Sequence, residues 1–199
     1  MSRRKPEPNK NIAQAGFTLI EMLVVVSIIS LLSSIVLSSA VEARRKARDA
    51  KRLADMAQIQ KALDLYYNNN NSQYPGDTAS YGEDEITNGC GTYDTSAVDK
   101  NGNGNKFIDP LVTAGVVKGT PVDPINEITN NVSCSGTIYR YYKYPAGSYG
   151  CDSGRGDFYV LQALTMETGP FPHPSSPGWS CPGRNWQIEG YWVTGRFER

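Results

Sequence analysis

Histidine and cysteine are scarce in this sequence, since its 199 residues include one histidine and four cysteines. This scarcity excludes a multi-histidine metal centre and leaves most catalytic triads without a base, so an enzyme would have to use carboxylates or the lone His173. An excess of charge of one sign is also missing, because Lys plus Arg and Asp plus Glu number 20 each. The whole-chain charge therefore gives no sign of a protein that coats nucleic acid. The length favours one ordinary core over two full domains.

Glycine and proline are missing from a long stretch near the N-terminus, and the first part of this stretch is almost uncharged. Residues 17–74 contain neither glycine nor proline, and residues 17–41 hold 17 apolar side chains and a single charged one, Glu21. About 20 such residues span a bilayer core. The segment that follows is rich in strong helix formers. It carries an apolar stripe with helical spacing, formed by Met56, Ile59, Leu63 and Tyr66. We therefore predict one helix from about residue 17 to residue 67.

Basic residues flank the apolar run on both sides, so the positive-inside rule does not orient it. Residues 1–16 have four basic side chains against Glu7, and residues 42–55 have six against three acidic ones. A cleaved secretory signal is one alternative, since Ser38-Ser39-Ala40 resembles a cleavage site, but the run exceeds the usual 7–15 apolar residues. A twin-arginine signal at residues 2–5 is another, but polar residues intervene where its apolar stretch should begin.

The four cysteines all follow the predicted helix and lie in polar, loop-rich sequence. They are Cys90, Cys134, Cys151 and Cys181. Their spacing fits no zinc pattern, so we expect disulfides formed outside the cytoplasm. Three connectivities are open to four cysteines. We predict Cys134 with Cys151, clasping one hairpin, and Cys90 with Cys181, while the other two pairings stay open.

Glu21 is a carboxylate within a predicted membrane span, which costs about 2.5–3.5 kcal/mol near the bilayer centre and less near an end. Such a residue is functional by default. The alternative is a capping box, in which Thr18 is the N-cap and Glu21 satisfies a backbone N–H. The pattern alone does not choose between these two roles.

The string from Gly16 to Glu21 reads GFTLIE and lies between a short basic leader and a long apolar helix. In this context it resembles the signature of type IV prepilins and type II secretion pseudopilins. The resemblance implies that a prepilin peptidase cuts after Gly16 and that Phe17 becomes the N-methylated first residue. It also implies that Glu21 of an incoming subunit neutralises the amine of Phe17 on its neighbour, which sets the axial register of a filament.

The same resemblance divides the chain into four parts. Residues 1–16 would be a cleaved leader left in the cytoplasm, residues 17–41 a transmembrane and later filament-core helix, residues 42–67 its amphipathic continuation, and residues 68–199 a globular head outside the membrane. The implied partners are further copies or related subunits in an extracellular or periplasmic filament, the prepilin peptidase, an inner-membrane assembly platform, and the membrane before assembly. We expect neither nucleic acid nor catalysis.

The head is predicted to contain a small antiparallel sheet packed on the second half of the helix, giving an α+β, pilin-like fold. Its strand-like runs, rich in aromatic and β-branched residues, are 137–144, 158–164 and 191–197. Residues 107–117 suggest a short helix, whereas 76–106 and 165–186 are interpreted as long surface loops. The run from Pro121 to Asn126 resembles the proline-flanked Asp-Pro turn that often leads into the head sheet of these proteins.

A second candidate site is a run of oxygen-bearing side chains at alternate positions. It consists of Asp99, Asn101, Asn103 and Asn105, with Asp109 following. This run resembles the first half of a calcium loop, but Pro110 stands where a bidentate Glu is expected. We treat Ca²⁺ as a possible ligand, with a Gly/Asn turn as the alternative.

Two further features suggest simpler interpretations. The basic run from Arg44 to Arg52 is interpreted as a solvated stem face rather than a contact with DNA or anionic lipid, and His173 as a loop residue. The predicted function is that of a filament subunit. The alternatives are a helix-anchored extracytoplasmic binding or hydrolytic domain that never polymerises, and a minor pilin that binds DNA or a surface.

Overall fold

The computed structural model describes residues 16–76, 93–97, 106–130 and 135–199. Residues up to Ala43 and residues from Arg44 onward form two compact units. In chain order the helices and strands are α1 (Leu19–Asn69), β1 (Asp94–Thr95), α2 (Asp109–Thr113), β2 (Glu127–Asn130), β3 (Ser135–Thr137), β4 (Tyr139–Tyr144), β5 (Phe158–Ala163), β6 (Ser180–Cys181), β7 (Arg184–Asn185) and β8 (Trp192–Phe197). Short 3₁₀ turns cover Ser148–Gly150, Ser153–Arg155 and Trp186–Ile188.

Helix α1 is continuous over 51 residues, which confirms the long helix predicted from the missing glycine and proline. It ends where Asn71 and Ser72 adopt left-handed backbone, with φ of 54° and 58°. The predicted stripe also holds, because Met56, Ile59 and Leu63 are fully buried. These side chains fix the face of α1 that packs on the head.

The core of the head is a four-stranded antiparallel sheet in the order β1-β4-β5-β8. Strand β5 is central and buried along its whole length. Its register with β4 runs from Tyr139 opposite Ala163 to Tyr144 opposite Phe158, and β8 pairs on its other side. Because side chains alternate along a strand, each strand contributes to both faces of the sheet.

The two faces of the sheet bury different clusters. On the face toward α1, Tyr139, Tyr141, Tyr159 and Leu161 pack with the apolar stripe of the helix. On the opposite face, Tyr144, Phe158, Val160, Val193 and Trp186 form a second cluster. The predicted α+β class, with a small antiparallel sheet on the second half of the helix, is confirmed.

Several local predictions need correction. The run predicted as one strand over 137–144 is divided between β3 and β4, and the predicted helix over 107–117 shrinks to α2. The interval 76–106, interpreted as loop, contains the edge strand β1, and 165–186 contains the small hairpin β6–β7. Two-residue strands carry too little periodicity to be recognised from sequence.

The predicted disulfide pairing is wrong, because Cys151 is bonded to Cys181, with their Cα atoms 5.0 Å apart. The β6–β7 hairpin folds over the long β4–β5 connection, where the Gly183 N–H donates to the Tyr149 carbonyl at 2.8 Å. Closeness in sequence to Cys134 therefore did not decide the partner of Cys151. Cys90 and Cys134 lie outside the described residues.

Candidate processing and assembly site

The start of α1 is closed by a reciprocal cap between Thr18 and Glu21. The Thr18 N–H donates to Glu21 Oε2 at 2.8 Å, and the Glu21 N–H donates to Thr18 Oγ1 at 3.3 Å. The Thr18 hydroxyl also donates to the same carboxylate, at 2.7 Å. This geometry is a capping box, in which two backbone donors that lack helical partners are satisfied. The capping interpretation of Glu21 is therefore confirmed for the chain that still carries its leader.

The residues before the cap are open to solvent. Phe17 is 81% exposed. A Cβ atom placed on Gly16 would meet no described atom within 4 Å, so the packing around this position does not require glycine. Gly16 and Phe17 are both exposed, and no contact among the described residues accounts for a glycine at position 16.

The first unit presents a continuous apolar surface. Eight of its large apolar side chains, each 55–83% exposed, are Leu19, Ile20, Leu23, Val26, Ile29, Leu32, Ile35 and Leu37. Within the described residues, α1 is the one helix long and apolar enough to cross a membrane. Such a surface is stable in water only when lipid or another protein covers it.

Four of the six serines on this helix bind their hydroxyls back to the helix backbone. Ser27 and Ser34 donate to the carbonyls of Val24 and Leu31 at 2.7 Å. Ser30 and Ser39 make the same kind of bond one turn back along the helix. Because each of these hydroxyls is satisfied within the helix, it needs no water when the helix is surrounded by lipid or protein.

The second unit joins its helix to the head through a buried ion cluster. Arg52 is fully buried and forms a two-pronged pair with Asp123, with Nε to Oδ2 at 2.7 Å and Nη2 to Oδ1 at 3.1 Å. Its Nη1 donates to Asp49 at 2.7 Å and to Glu167 at 3.0 Å. Arg48 also pairs with Glu167 through Nε at 2.6 Å. The cluster links α1 to two separate loops of the head.

Asp49 binds the loop at residues 167–168 through several donors. It accepts the Glu167 N–H, and it accepts both the N–H and the hydroxyl of Thr168 at 2.7 Å. Burial opposes ionisation, but these hydrogen bonds and the one from Arg52 hold the pKa of Asp49 below its usual value. The hydrogen bond from Arg48 likewise lowers the pKa of Glu167. Both groups therefore remain charged carboxylates in the folded chain.

The interpretation of the basic run as a solvated stem face is wrong for part of that run. Arg44, Arg45 and Lys51 are exposed, but Arg52 is buried and Arg48 is half-buried against Glu167. One signal in the sequence pointed toward this arrangement, the proline-flanked Asp123, whose carboxylate also accepts the Ile125 N–H at 2.9 Å. The turn that resembled a pilin feature thus places the carboxylate that holds Arg52.

The predicted calcium loop lies largely outside the described residues, namely at Asp99, Asn101, Asn103 and Asn105. Asp109 is the first residue of α2, where its carboxylate accepts from the Thr113 hydroxyl at 3.3 Å. Across the described ranges, no group of three or more His, Cys, Asp or Glu side chains is arranged to hold a metal ion. Calcium binding therefore stays a prediction.

Comparisons with known proteins concern mainly the N-terminal part of the chain. The prokaryotic N-terminal methylation motif matches residues 12–37. Type II secretion system core protein G from Aeromonas hydrophila is 37% identical over 75 residues, which cover 38% of this chain and 50% of the relative. The protein of the same name from Vibrio cholerae is 40% identical over 62 residues, covering 31% and 42%. The one from Escherichia coli K12 is 39% identical over 62 residues, also covering 31% and 42%.

The chain spans at most half the length of these relatives. No solved structure matches it at a significant level. The motif match includes the Gly16–Phe17 bond, the Thr18–Glu21 cap and most of the apolar run described above. The chain therefore carries a prepilin-type N-terminal methylation motif and is similar, over 31–38% of its length, to type II secretion system core protein G.

Proposed function

We propose that this chain is a structural subunit of a filament of the type II secretion pseudopilus or type IV pilus kind. In this proposal a prepilin peptidase removes residues 1–16 and methylates the new amine of Phe17. The apolar part of α1 holds the subunit in the inner membrane, with the head outside, and later enters the filament core. An inner-membrane assembly platform and further copies or related subunits are its partners.

The observation that carries the proposal is the juxtaposition of Gly16, Phe17 and Glu21 at the start of a helix with an uncovered apolar surface. A membrane anchor alone needs only the apolar run. It does not need an accessible glycine bond or a carboxylate placed within the first helical turn. The motif match at residues 12–37 and the similarity to type II secretion system core protein G support the same conclusion.

Cleavage would change the electrostatics of this helix terminus. A new cationic amine on Phe17 would face the positive end of the helix dipole, which is unfavourable. Glu21 offers a compensating charge, since opposite charges at 4 Å attract by about 4 kcal/mol at an effective dielectric of 20, before desolvation. After cleavage Glu21 can cap its own helix or bind the amine of an adjacent subunit. Pairing between subunits would fix their axial offset.

A structural role also agrees with the remaining polar groups of the second unit. Its buried charges, at Arg52, Asp49, Asp123 and Glu167, are bound to one another and to backbone groups. They join the helix to the head, and all four are engaged in these bonds rather than directed at a substrate. We therefore propose no catalytic activity.

The proposal is tested by producing the chain together with a prepilin peptidase and an assembly system, then shearing the cells. We expect the chain in the sheared filament fraction. The control is Gly16→Leu, whose side chain should block the peptidase, leaving the chain uncleaved in the membrane. A chain that is membrane-bound but never enters sheared material would overturn the filament proposal and favour the anchored extracytoplasmic domain.

A further inference from the structure

An open groove on the face of the sheet opposite α1 is lined mainly by tyrosine rings. Its volume is about 490 Å³, and its lining includes Tyr93, Tyr142, Tyr144, Tyr149, Pro145 and Arg184. The rings contact one another at centroid distances of 5.6 Å for Tyr93 with Tyr142, 4.4 Å for Tyr142 with Tyr144 and 5.7 Å for Tyr144 with Tyr149. We call this surface the tyrosine groove.

The cation that lines the groove, Arg184, is fully hydrogen-bonded, and it shares its partner Glu189 with Arg140, whose guanidinium lies over the Tyr93 ring. The five N–H groups of Arg184 are all used: two bind Glu189, at 2.7 and 2.8 Å, and the others reach the hydroxyls of Tyr93, Tyr144 and Tyr149. A carboxylate or phosphate ligand would have to displace these bonds. The Tyr149 hydroxyl accepts from Arg184, so its own proton is available to donate. The groove therefore suits an uncharged ligand with ring faces and free carbonyl groups.

Such a ligand exists on another surface of the same chain. Residues 170–177 read PFPHPSSP, and Pro170, Phe171, Pro172, Pro174 and Pro177 are all exposed. We call them the proline segment. Apart from His173 it contains no ionisable side chain. Proline-rich segments commonly dock in aromatic grooves, where proline rings stack on aromatic faces and backbone carbonyls accept hydrogen bonds. In this segment the His173 carbonyl already accepts from the Ser176 N–H and the Ser175 carbonyl from the Trp192 indole, so its proline rings and its other carbonyls would make the contact.

The two surfaces lie toward opposite ends of the strands. The groove is at the end where Tyr144 pairs with Phe158 and Phe158 pairs with Phe197. The proline segment is held near the other end, where the His173 N–H donates to the Tyr191 carbonyl at 2.8 Å and the Phe171 ring contacts Tyr191 at 5.0 Å.

The same separation appears along α1. Arg196, near the end of β8 that lies at the same end of the sheet as the groove, pairs with Asp64 of the helix. Thr168, just before the proline segment, binds Asp49. Fifteen helical residues correspond to about 22 Å. The groove and the segment are therefore displaced from each other in the direction of the helix axis.

We infer that the tyrosine groove of one subunit binds the proline segment of a second copy of this chain. Because the two surfaces are different, the contact is heterologous, and repetition adds copies in one direction rather than closing a symmetric dimer. The inference rests on the proposed filament function and specifies one contact between its heads. The partner is a second copy because the chain itself carries both the groove and a matching, exposed segment.

The test is photo-crosslinking in assembled filaments with p-benzoylphenylalanine placed at Phe171. We expect adducts between this position and the groove residues 142–149 of another copy, identified by peptide mass spectrometry. The matched control places the same group at Ile125, which is exposed to a similar degree, and should give no adduct in the groove. Tyr149→Ala should reduce the adduct about tenfold, as loss of an interface anchor does, whereas Ser153→Ala should not.

A second measurement covers the case in which the labelled chain does not assemble. The full chain in detergent micelles is titrated with a synthetic peptide of residues 168–178, and tyrosine and tryptophan fluorescence is recorded. We expect saturable binding that weakens at least about tenfold when the four prolines are replaced by alanine.

The two proposals fail in different ways. Filaments that form normally but give adducts only outside the groove, or no peptide binding, would overturn the contact and leave the filament function intact. Equal binding of the alanine peptide would also overturn it. Failure of the unmodified chain to enter filaments would instead overturn the proposed function.

Discussion

Arg52 and Asp123 lie 71 positions apart in the chain and form a buried two-pronged ion pair between α1 and the head. The same guanidinium reaches Asp49 and Glu167, so one side chain connects the helix to two loops. This cluster is the polar part of that connection.

Arg52→Met should destabilise the second unit strongly, because it leaves several carboxylates buried without their cation. Removing one partner of a buried pair costs about 3–5 kcal/mol. The measurement is the free energy of unfolding of the full chain in detergent, obtained from a denaturant titration. Arg44→Met, on the exposed part of the basic run, should change it by less than about 0.5 kcal/mol. Equal effects of the two substitutions would contradict the role given to Arg52.

Stability should decrease at acid pH through Asp49 and Glu167. Both have a pKa that is lowered in the folded chain, so the unfolded chain binds more protons as the pH falls. Their contribution is complete above the ordinary carboxyl pKa of about 4 and is lost as the pH drops through the folded pKa. Glu167→Gln should therefore flatten the fall of the unfolding free energy at low pH, whereas Glu127→Gln, in an exposed strand position, should not. An unchanged acid slope in Glu167→Gln would be evidence against this linkage.

The Cys151–Cys181 disulfide should be recovered as one linked peptide in non-reducing maps of oxidised material. The sequence separation is 30 residues. Closing a loop of this size contributes about 3.6 kcal/mol in the chain-entropy description. Replacing both cysteines by serine should lower the free energy of unfolding by about that amount. A linked peptide joining Cys134 to Cys151 would contradict the connectivity described above.

Substitutions at the capping box separate the two roles of Glu21. Thr18→Ala removes the hydroxyl that caps the helix and keeps the carboxylate, at a cost of about 1 kcal/mol. Glu21→Ala removes both the cap and the charge. We expect both variants to be cleaved and inserted, but only Glu21→Ala to lose filaments, measured as the sheared fraction from cells without a wild-type copy. Similar filament yields from the two variants would show that Glu21 acts only as a helix cap.

The parts of the fold that could be predicted from sequence are those with long or chemically unusual patterns. The absence of glycine and proline over residues 17–74 predicts α1, and the spacing of Met56, Ile59 and Leu63 predicts its buried face. The central strand β5 is also evident, because its six buried residues form an apolar and aromatic run that only Gln162 interrupts. The string from Gly16 to Glu21 is also recognisable from its local order of residues alone, and it lies within the methylation motif at residues 12–37; processing there stays a prediction.

The remaining features depend on contacts between distant residues. Arginine is usually a surface residue. The burial of Arg52 becomes evident only in the folded chain, where it pairs with Asp123 and Glu167. The partner of Cys151 is decided by where the β6–β7 hairpin folds. The tyrosine groove likewise combines β4 with Tyr93 before β1, Tyr149 of the β4–β5 connection and Arg184 of β7, so no local sequence pattern predicts it.

The proposed function depends above all on processing at the bond between Gly16 and Phe17, which the mass of the mature N-terminus would reveal. The chain is recovered from sheared filaments, digested, and its N-terminal peptide is identified by mass spectrometry. We expect a peptide that begins at Phe17 and carries one methyl group on its amine. A mature chain that begins at Val41, or one that keeps residues 1–16 in filaments, would contradict this processing.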